Sequence, residues 1–509
     1  MFRRFASLFA VGLCAFVAAA NERPNIVFVM VDDLGYSDLG CFGGEIRTPN
    51  LDRLAEEGVR FTQFYNESKC VESRSSLLTG WTHHVSKNLK NRSVPTLAER
   101  LGDVGYRTLM VGKWHLADTP RQRGFDRYFG FLNGAVNFWT GAPTGADKNP
   151  QFLLDDDPYT IPESGFYTTD DFTDHAIEFI DEAVNMEEPQ PFFLYLTHNA
   201  PHYPLHAPQA EIESYRGRYD GGWDALRSER LERMKRIGLI DEAVSLSARD
   251  PMVPAWDEVT ADYQEEYSLL MAVYAAMVDR LDQNIGRLVD ALKARGVYEN
   301  TLILFSSDNG GCPYQNEEKP ESVPGGPESD RTYNTPWANA SNTPFRLYKR
   351  YAHEGGTATP FIAHWPGKIE NPGRLSPQVG HLVDILPTCL ELAGAPLDAP
   401  LEGMSLVSAI RGASFRRDRP IFWEYAKHHA VRFGDWKLVA EAGGDWALYD
   451  LAADRIEFEN VVAAKPRVAQ RLAALYDGWA GRVGAPSHSV CHESKPMFMR
   501  DYTEVLTTP

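Results

Sequence analysis

Cysteine is scarce in this chain, six among 509 residues. One of them, Cys14, sits in the apolar N-terminal stretch, which leaves Cys41, Cys70, Cys312, Cys389 and Cys491. Their spacing is wide, and sequence alone assigns no pairing between them. Long apolar runs are also lacking. Beyond residue 20, no segment is long and apolar enough to cross a bilayer, which excludes a helical membrane span. Positive charge is in short supply, with 51 Lys and Arg against 70 Asp and Glu and a formal net charge of -19. That balance argues against nucleic acid or anionic membranes as main partners. It leaves room for an anionic substrate, because a few cations focused in a cleft reverse the sign locally.

The remainder is ordinary for a folded protein: 43% hydrophobic, 24% charged, mean hydropathy -0.36. Its 509 residues exceed one usual core, so two domains are expected. Residues 1–20 read as a secretory signal peptide, with Arg3 and Arg4 before the apolar run and Ala18-Ala19-Ala20 for cleavage. A secreted or periplasmic location follows from that reading. A catalytic domain over 21–393, a smaller C-terminal domain over 394–484 and an extension over 485–509 complete the division. The boundary is placed in the Pro/Gly-rich stretch from Gly394 to Gly412.

Four short apolar runs end in chemically capable residues. Asn25–Val31 leads into Asp32-Asp33, and Thr108–Val111 into Gly112-Lys113-Trp114-His115. Phe192–Leu196 leads into Thr197-His198-Asn199-Ala200-Pro201-His202, and Leu302–Phe305 into Ser306-Ser307-Asp308-Asn309. Continuous apolar runs of this kind are strands buried on both faces, which predicts an α/β fold with a large, mostly parallel sheet flanked by helices. Helices are expected over Leu51–Glu57, Pro95–Leu101, Asp171–Ala183 and, most clearly, Asp262–Arg295. Ligands in such folds bind outside the carboxyl ends of the strands. Two of the four runs end there in acids, one in a lysine and a histidine, and one in histidines.

Asp32, Asp33, Asp308 and Asn309 would bring three carboxylates and an amide to one sheet edge. Carboxylates that close stay ionised only with a cation among them, and oxygen donors suit a hard ion, Ca²⁺ or, second, Mg²⁺. Taken singly, each pair is also a common turn cap. Lys113, His115 and His202 gain weight from their strand-end positions. Lys349 belongs to Pro344-Phe345-Arg346-Leu347-Tyr348-Lys349, which alone is equally a basic surface turn. Cys70 opens a segment expected to be helical over Ser73–Leu78 and closed by Gly80, so free N–H groups face whatever stands at position 70.

The run Cys70-Val71-Glu72-Ser73-Arg74 through Leu77-Leu78-Thr79-Gly80 resembles the signature of the type I sulfatases, members of the alkaline phosphatase superfamily. Further likeness lies in VDDLGYSDLG, GKWHL, Ala-Pro-His-x-Pro at His202, SSDNG, Pro-Phe-Arg-x-x-Lys at Lys349 and HLVDILPTCLELAGAPL. The resemblance implies an alkaline-phosphatase-like fold with a smaller C-terminal α+β domain, and a sulfuric ester hydrolase of the arylsulfatase type. It implies that Cys70 is converted to formylglycine by a maturation enzyme. Its hydrate would attack sulfur, with Ca²⁺ held by Asp32, Asp33, Asp308, Asn309 and position 70. Arg74, Lys113 and Lys349 would carry the transferring sulfuryl oxygens, and His202, also a substrate contact, would protonate the leaving alcohol. His115 would take the proton whose loss releases sulfate. The substrate implied is a sulfated small molecule or a sulfated polysaccharide. Glu72 departs from the family pattern, which has Pro or Ala there. That departure keeps open a silent sulfated-glycan binder, and the shared site chemistry keeps open a phosphate or phosphonate ester hydrolase. The loops Leu205–Ala261 and Cys312–Ser341 are expected to form a substrate rim.

Overall fold

The computed structural model describes residues 23–144, 152–315, 322–397 and 401–494. The expected signal peptide and the end of the C-terminal extension lie outside them. Ten strands build one sheet: β1 Asn25–Val31, β2 Val59–Tyr65, β3 Arg107–Lys113, β4 Arg127–Phe131, β5 Phe152–Leu154, β6 Asp157–Pro158, β7 Phe192–Thr197, β8 Thr301–Ser307, β9 Ala358–His364 and β10 Arg374–His381. Their order is β10-β2-β9-β8-β1-β7-β3-β4-β5-β6. The four strands expected from the sequence are neighbours, β8-β1-β7-β3, and β4 continues their parallel run. Antiparallel pairing enters where β9 joins β8 and β2, and again at β5 and β6. The sheet is therefore mixed, with a parallel centre.

Two separate cores explain why these strands read as unbroken apolar runs. Val27, Val29 and Val31 of β1 face one core, while Ile26, Phe28 and Met30 face the other. The same alternation recurs in β7 and β8, so both faces need apolar side chains. Helices Pro49–Glu56, Thr168–Val184 and Ala261–Ala294 cover the first face. Helices Cys70–Thr79, Leu97–Gly102 and Ile385–Ala393 cover the second.

Both segments expected as rim loops carry helix: Cys312–Ser341 ends in the buried helix Asn334–Ser341, and Leu205–Ala261 holds the 15-residue helix Gly222–Arg236. Two of its buried positions are Arg227 and Arg230, which hides the apolar period carried by Trp223, Leu226, Leu231 and Met234. Arg230 is fully buried. It donates to Asp38 Oδ1 at 2.6 Å and to Glu45 Oε2 at 2.8 Å. The helix thereby braces the turn that follows the Asp32-Asp33 pair.

A second sheet of four antiparallel strands follows: β11 Ile421–Tyr425, β12 His428–Phe433, β13 Trp436–Ala440 and β14 Ala447–Asp450. The helix Pro466–Val483 packs on it through Leu472, Tyr476 and Trp479. This sheet reaches back into the main domain. Lys437 Nζ lies 2.9 Å from Glu354 and 3.0 Å from Glu457, below the Lys349 turn, and Trp423 Nε1 donates to Asn66 O at 2.7 Å. Cys41, Cys70, Cys312, Cys389 and Cys491 are all buried and free.

Candidate active site

The carboxyl ends of β8, β1, β7 and β3 meet at one point. Asp308 N donates to Val31 O at 3.1 Å and Asp32 N to Ala200 O at 3.1 Å, so the three strand exits are held side by side. Asp33 turns the chain back with φ 71, an unusual conformation for a side-chain-bearing residue and one that concentrates at functional sites. Gly112 stands at the exit of β3 with φ 111, and a Cβ there would fall 2.0 Å from Thr197 O. Only glycine lets β3 and β7 close this tightly in front of Lys113.

Four cations and three carboxylates interlock in this space. Lys113 Nζ lies 2.5 Å from Asp32 Oδ2, and Lys349 Nζ lies 2.5 Å from Asp33 Oδ1. Arg74 donates to Asp308 Oδ2 at 2.8 Å and to Lys113 O at 2.8 Å, with Asp32 at 4.0 Å. Asn309 Nδ2 donates to Asp33 Oδ1 at 2.6 Å. Lys69, the fourth cation, precedes Cys70. Burial opposes ionisation of Asp32 and Asp33, but Lys113 and Lys349 outweigh it and hold both carboxyls low. Asp308 goes the other way. Burial and the Asp32 charge push its carboxyl up despite Arg74.

Three acceptor oxygens in this cluster are buried without a hydrogen-bond partner: Asp32 Oδ1, Asp33 Oδ2 and Asn309 Oδ1. An orphaned buried acceptor is expensive, and three on converging groups are the pattern a cation completes. His202 joins them. Its Nδ1 donates to Tyr203 O at 2.5 Å, which leaves Nε2 facing Asp33 Oδ2 at 3.5 Å. Two acceptors face each other there and need a proton or a cation between them. Burial keeps the ring neutral, bringing His202 to about 4 against the pull of Asp33 and Asp32. Asp32, Asp33 and His202 can offer ligand atoms within 4.8 Å of one another. The residues present fit a hard cation.

Cys70 is the first residue of its helix, after Lys69 in extended conformation. Burial raises its thiol, but Lys69, Lys113 and Lys349 outweigh that and bring it to about 6. Ser73 Oγ donates to Asp308 O at 2.5 Å, which locks the start of the helix to the exit of β8. Glu72 is buried on the first turn. Its Oε1 accepts a long bond from Asn88 Nδ2 at 3.4 Å, and its Oε2 has no partner. Burial and the Cys70 charge raise it to about 7. His115 sits at φ 57 with Nδ1 unpartnered, and burial and Lys113 hold it well below its ordinary value. Its ring presses on Gly134, where a Cβ would stand 2.9 Å from Nε2.

The residues singled out from the sequence thus occur together: Asp32, Asp33, Arg74, Lys113, His202, Asp308, Asn309 and Lys349 in direct contact, with Cys70 and His115 in their electrostatic field. Sequence reasoning passed over Lys69 and a tyrosine platform. The Tyr314 ring lies 5.5 Å from Lys69 Nζ, 5.4 Å from Lys349 Nζ and 5.8 Å from the Arg350 guanidinium, with the Tyr203 ring at 6.4 Å. A lysine beside the nucleophile position was the available signal for Lys69. Tyr314 lies five residues after Asn309, at the start of the Cys312–Ser341 segment expected as rim, and nothing in the spacing singles it out there.

The sulfatase family model matches residues 24–395, a span that contains every one of these groups. The chain belongs to the sulfatase family. It is a sulfuric ester hydrolase. The C-terminal model of N-sulphoglucosamine sulphohydrolase matches residues 345–476 of this sulfatase, across the Lys349 turn and the small sheet. An uncharacterized sulfatase of Schizosaccharomyces pombe is 35% identical over 540 residues, covering 93% of this chain and 96% of the relative. The arylsulfatase of Klebsiella aerogenes is 35% identical over 448 residues, covering 79% and 95%. The solved structure of Ps i-CgsB in complex with k-i-k-neocarrahexaose matches with a TM-score of 0.68 and 26% identity, covering 92% of this chain and 95% of that one.

Proposed function

We propose that this sulfatase hydrolyses a carbohydrate sulfate, that position 70 acts as formylglycine, and that Ca²⁺ is the resident metal. The observation that carries the reading is the paired demand of the site. One side holds unpartnered acceptor oxygens on Asp32, Asp33 and Asn309, and the other a helix N-terminus at Cys70 beside Lys69, Lys113 and Lys349. The first requires a cation and the second an anion. Similarity to a protein solved in complex with k-i-k-neocarrahexaose, together with the Tyr314 and Tyr203 rings beside Lys69 and Lys349, supports a sugar as the alcohol.

Once formed, formylglycine supplies a hydrated aldehyde hydroxyl as nucleophile, and a calcium ion held by Asp32, Asp33, Asp308 and Asn309 supplies a Lewis acid for sulfuryl oxygens. The chain's own residues do the rest. Lys113 and Lys349 are fixed by carboxylates at 2.5 Å and present ammonium charge without reorganising. Arg74 holds Asp308 and the Lys113 carbonyl in register. His202 has its tautomer set by Tyr203 O, so Nε2 is the nitrogen that would first take up a proton, beside Asp33 Oδ2, and then pass it to the departing alcohol. His115, neutral through burial, accepts the proton whose loss frees sulfate. We also propose export through the signal peptide read in residues 1–20, with maturation on the way by a formylglycine-generating partner.

The test is mass spectrometry of the peptide holding residue 70, from protein made in its native host, alongside sulfate release from a panel of sulfated sugars and aryl sulfates. Formylglycine at 70 and preference for a sugar sulfate are expected. Unmodified cysteine in an active preparation would refute the nucleophile, and unmodified cysteine with no turnover would favour a silent glycan binder.

A further inference from the structure

Away from the sulfate site, a second group of ligand atoms converges where the small sheet meets the helix behind Cys70. One ring nitrogen each of His83 and His84 and one carboxylate oxygen of Glu424 lie within 4.8 Å of one another. His84 Nε2 is 3.0 Å from Glu424 Oε2. His83 is 9% exposed, and its Nδ1 is buried with no partner. The two rings lie 4.0 Å apart, centroid to centroid. Two imidazoles this close, tilted at 37° and with a buried free nitrogen, have little reason to sit together unless something joins them.

We propose that His83, His84 and Glu424 form a second metal site, for a divalent cation of the zinc class, that ties the C-terminal sheet to the catalytic domain. Two imidazoles and one carboxylate make a donor set unlike the oxygen cluster at Asp32 and Asp33. Imidazole nitrogen selects zinc-like ions and leaves calcium unbound. Glu424 is oriented from behind by a hydrogen bond, as metal ligands are, and His84 by ring packing. Glu424 Oε1 accepts from Lys427 N at 2.8 Å across the β11–β12 turn. The His84 ring meets Trp479 edge-on at 5.7 Å, and Trp479 Nε1 donates to Glu402 Oε1 at 2.9 Å. Glu402 Oε2 in turn accepts from Thr82 N at 2.8 Å, next to His83. Three protein donors leave one position for water.

The site holds two parts of the molecule together. His83 and His84 begin a short helix three residues after Gly80 closes the Cys70 helix, and Ser86 of that helix meets Ser75 at 2.5 Å. Glu424 belongs to β11, and its neighbour Tyr425 lies under the Arg350 guanidinium at 5.8 Å, beside Lys349. A cation here fixes the wall of the sulfate site from outside and takes no part in the chemistry.

The experiment uses full-length enzyme stripped with a chelator, reloaded with Zn²⁺ and Ca²⁺ together, desalted, and assayed for metal per chain, thermal midpoint and sulfate release. Wild type is expected to retain one zinc that Glu424→Gln and His84→Ala lose, with calcium content and turnover kept within a few-fold. Zinc is also expected to raise the midpoint of stripped wild type and to leave that of the Glu424→Gln variant unmoved. Glu424→Gln keeps the acceptor for Lys427 N, so it separates ligation from folding. No zinc retained by wild type, or equal zinc in wild type and both variants, overturns the site and leaves His84–Glu424 an ordinary ion pair. Because zinc content is the readout, this result is independent of whether position 70 matures.

Discussion

Lys349→Met asks whether the buried ammonium serves catalysis or merely neutralises Asp33. Lys349 is fully buried, and among the described residues its carboxylate partner is Asp33 Oδ1 at 2.5 Å. Methionine preserves most of the side-chain volume and deletes the charge. Breaking one side of a buried pair costs about 3–5 kcal/mol, because the other charge is left uncompensated. In metal-free protein that loss should appear in full, as a lower denaturant midpoint. Calcium should return much of it, since an unpaired Asp33 is a stronger ligand for a cation, and calcium affinity should hold or rise. Turnover discriminates between the two roles. If the ammonium carries charge that develops on a sulfuryl oxygen, kcat falls by roughly 10²–10³, the loss typical of removing one preorganised donor. The assay is sulfate release by ion chromatography at saturating calcium, with formylglycine content at position 70 matched between wild type and variant. Turnover within tenfold of wild type at full calcium occupancy would refute the catalytic role and make Lys349 a counter-ion.

Two further outcomes follow from the same geometry. Glu72 is the third residue of its helix, where the backbone N–H needs no intrahelical partner, so proline is tolerated. Glu72→Pro should therefore raise the formylglycine fraction at position 70, read by mass spectrometry, with little change in thermal midpoint; an unchanged fraction would mean that Glu72 is no obstacle to maturation. Glu45 tests the brace around the Asp32-Asp33 turn. Burial raises its carboxyl, but Arg230 outweighs that and holds it below 4.5. A depressed folded value makes the stabilisation present above the unfolded value of 4.5 and lost as pH falls through the folded one. The stability gap between wild type and Glu45→Gln should be widest near neutral pH and shrink as pH drops below that value, and a gap that grows on acidification would contradict the assignment.

The strands that carry chemistry were legible because both their faces are buried, so each reads as an apolar block with a polar stop. The other strands of the sheet have weaker signatures. β10, RLSPQVGH, is an edge strand with an exposed proline and half-buried polar groups, and nothing in its composition marks it as sheet. β2 breaks its apolar residues with Arg60, Thr62 and Gln63, so it has no unbroken apolar block. The helix Gly222–Arg236 escaped because buried arginines occupy core positions, and only the fold supplies their partners, Asp38 and Glu45. In the site, residue types at strand ends were readable, but not which lysine meets which acid. Lys113 and Asp32 are 81 positions apart, and Lys349 and Asp33 316 apart. Such pairings are set by the strand order β8-β1-β7-β3, which the sequence does not state.

That strand order also answers why a chain with net charge -19 buries so many cations in one place. Ion pairs shut away from water are poor stabilisers, since desolvation consumes most of their mutual attraction. Asp32, Asp33, Asp308, Arg74, Lys113 and Lys349 are each at most 1% exposed, and packing apolar residues in their place would be at least as stable. Stability therefore does not account for the cluster. Nor do the pairs satisfy one another, because Asp32, Asp33 and Asn309 keep an acceptor free while the Cys70 thiol sits among Lys69, Lys113 and Lys349. A cation on one side and a tetrahedral anion on the other complete both halves at once. Acidic surface and cationic centre then have one explanation: the fold spends its few positive charges where a sulfate must be drawn in and held.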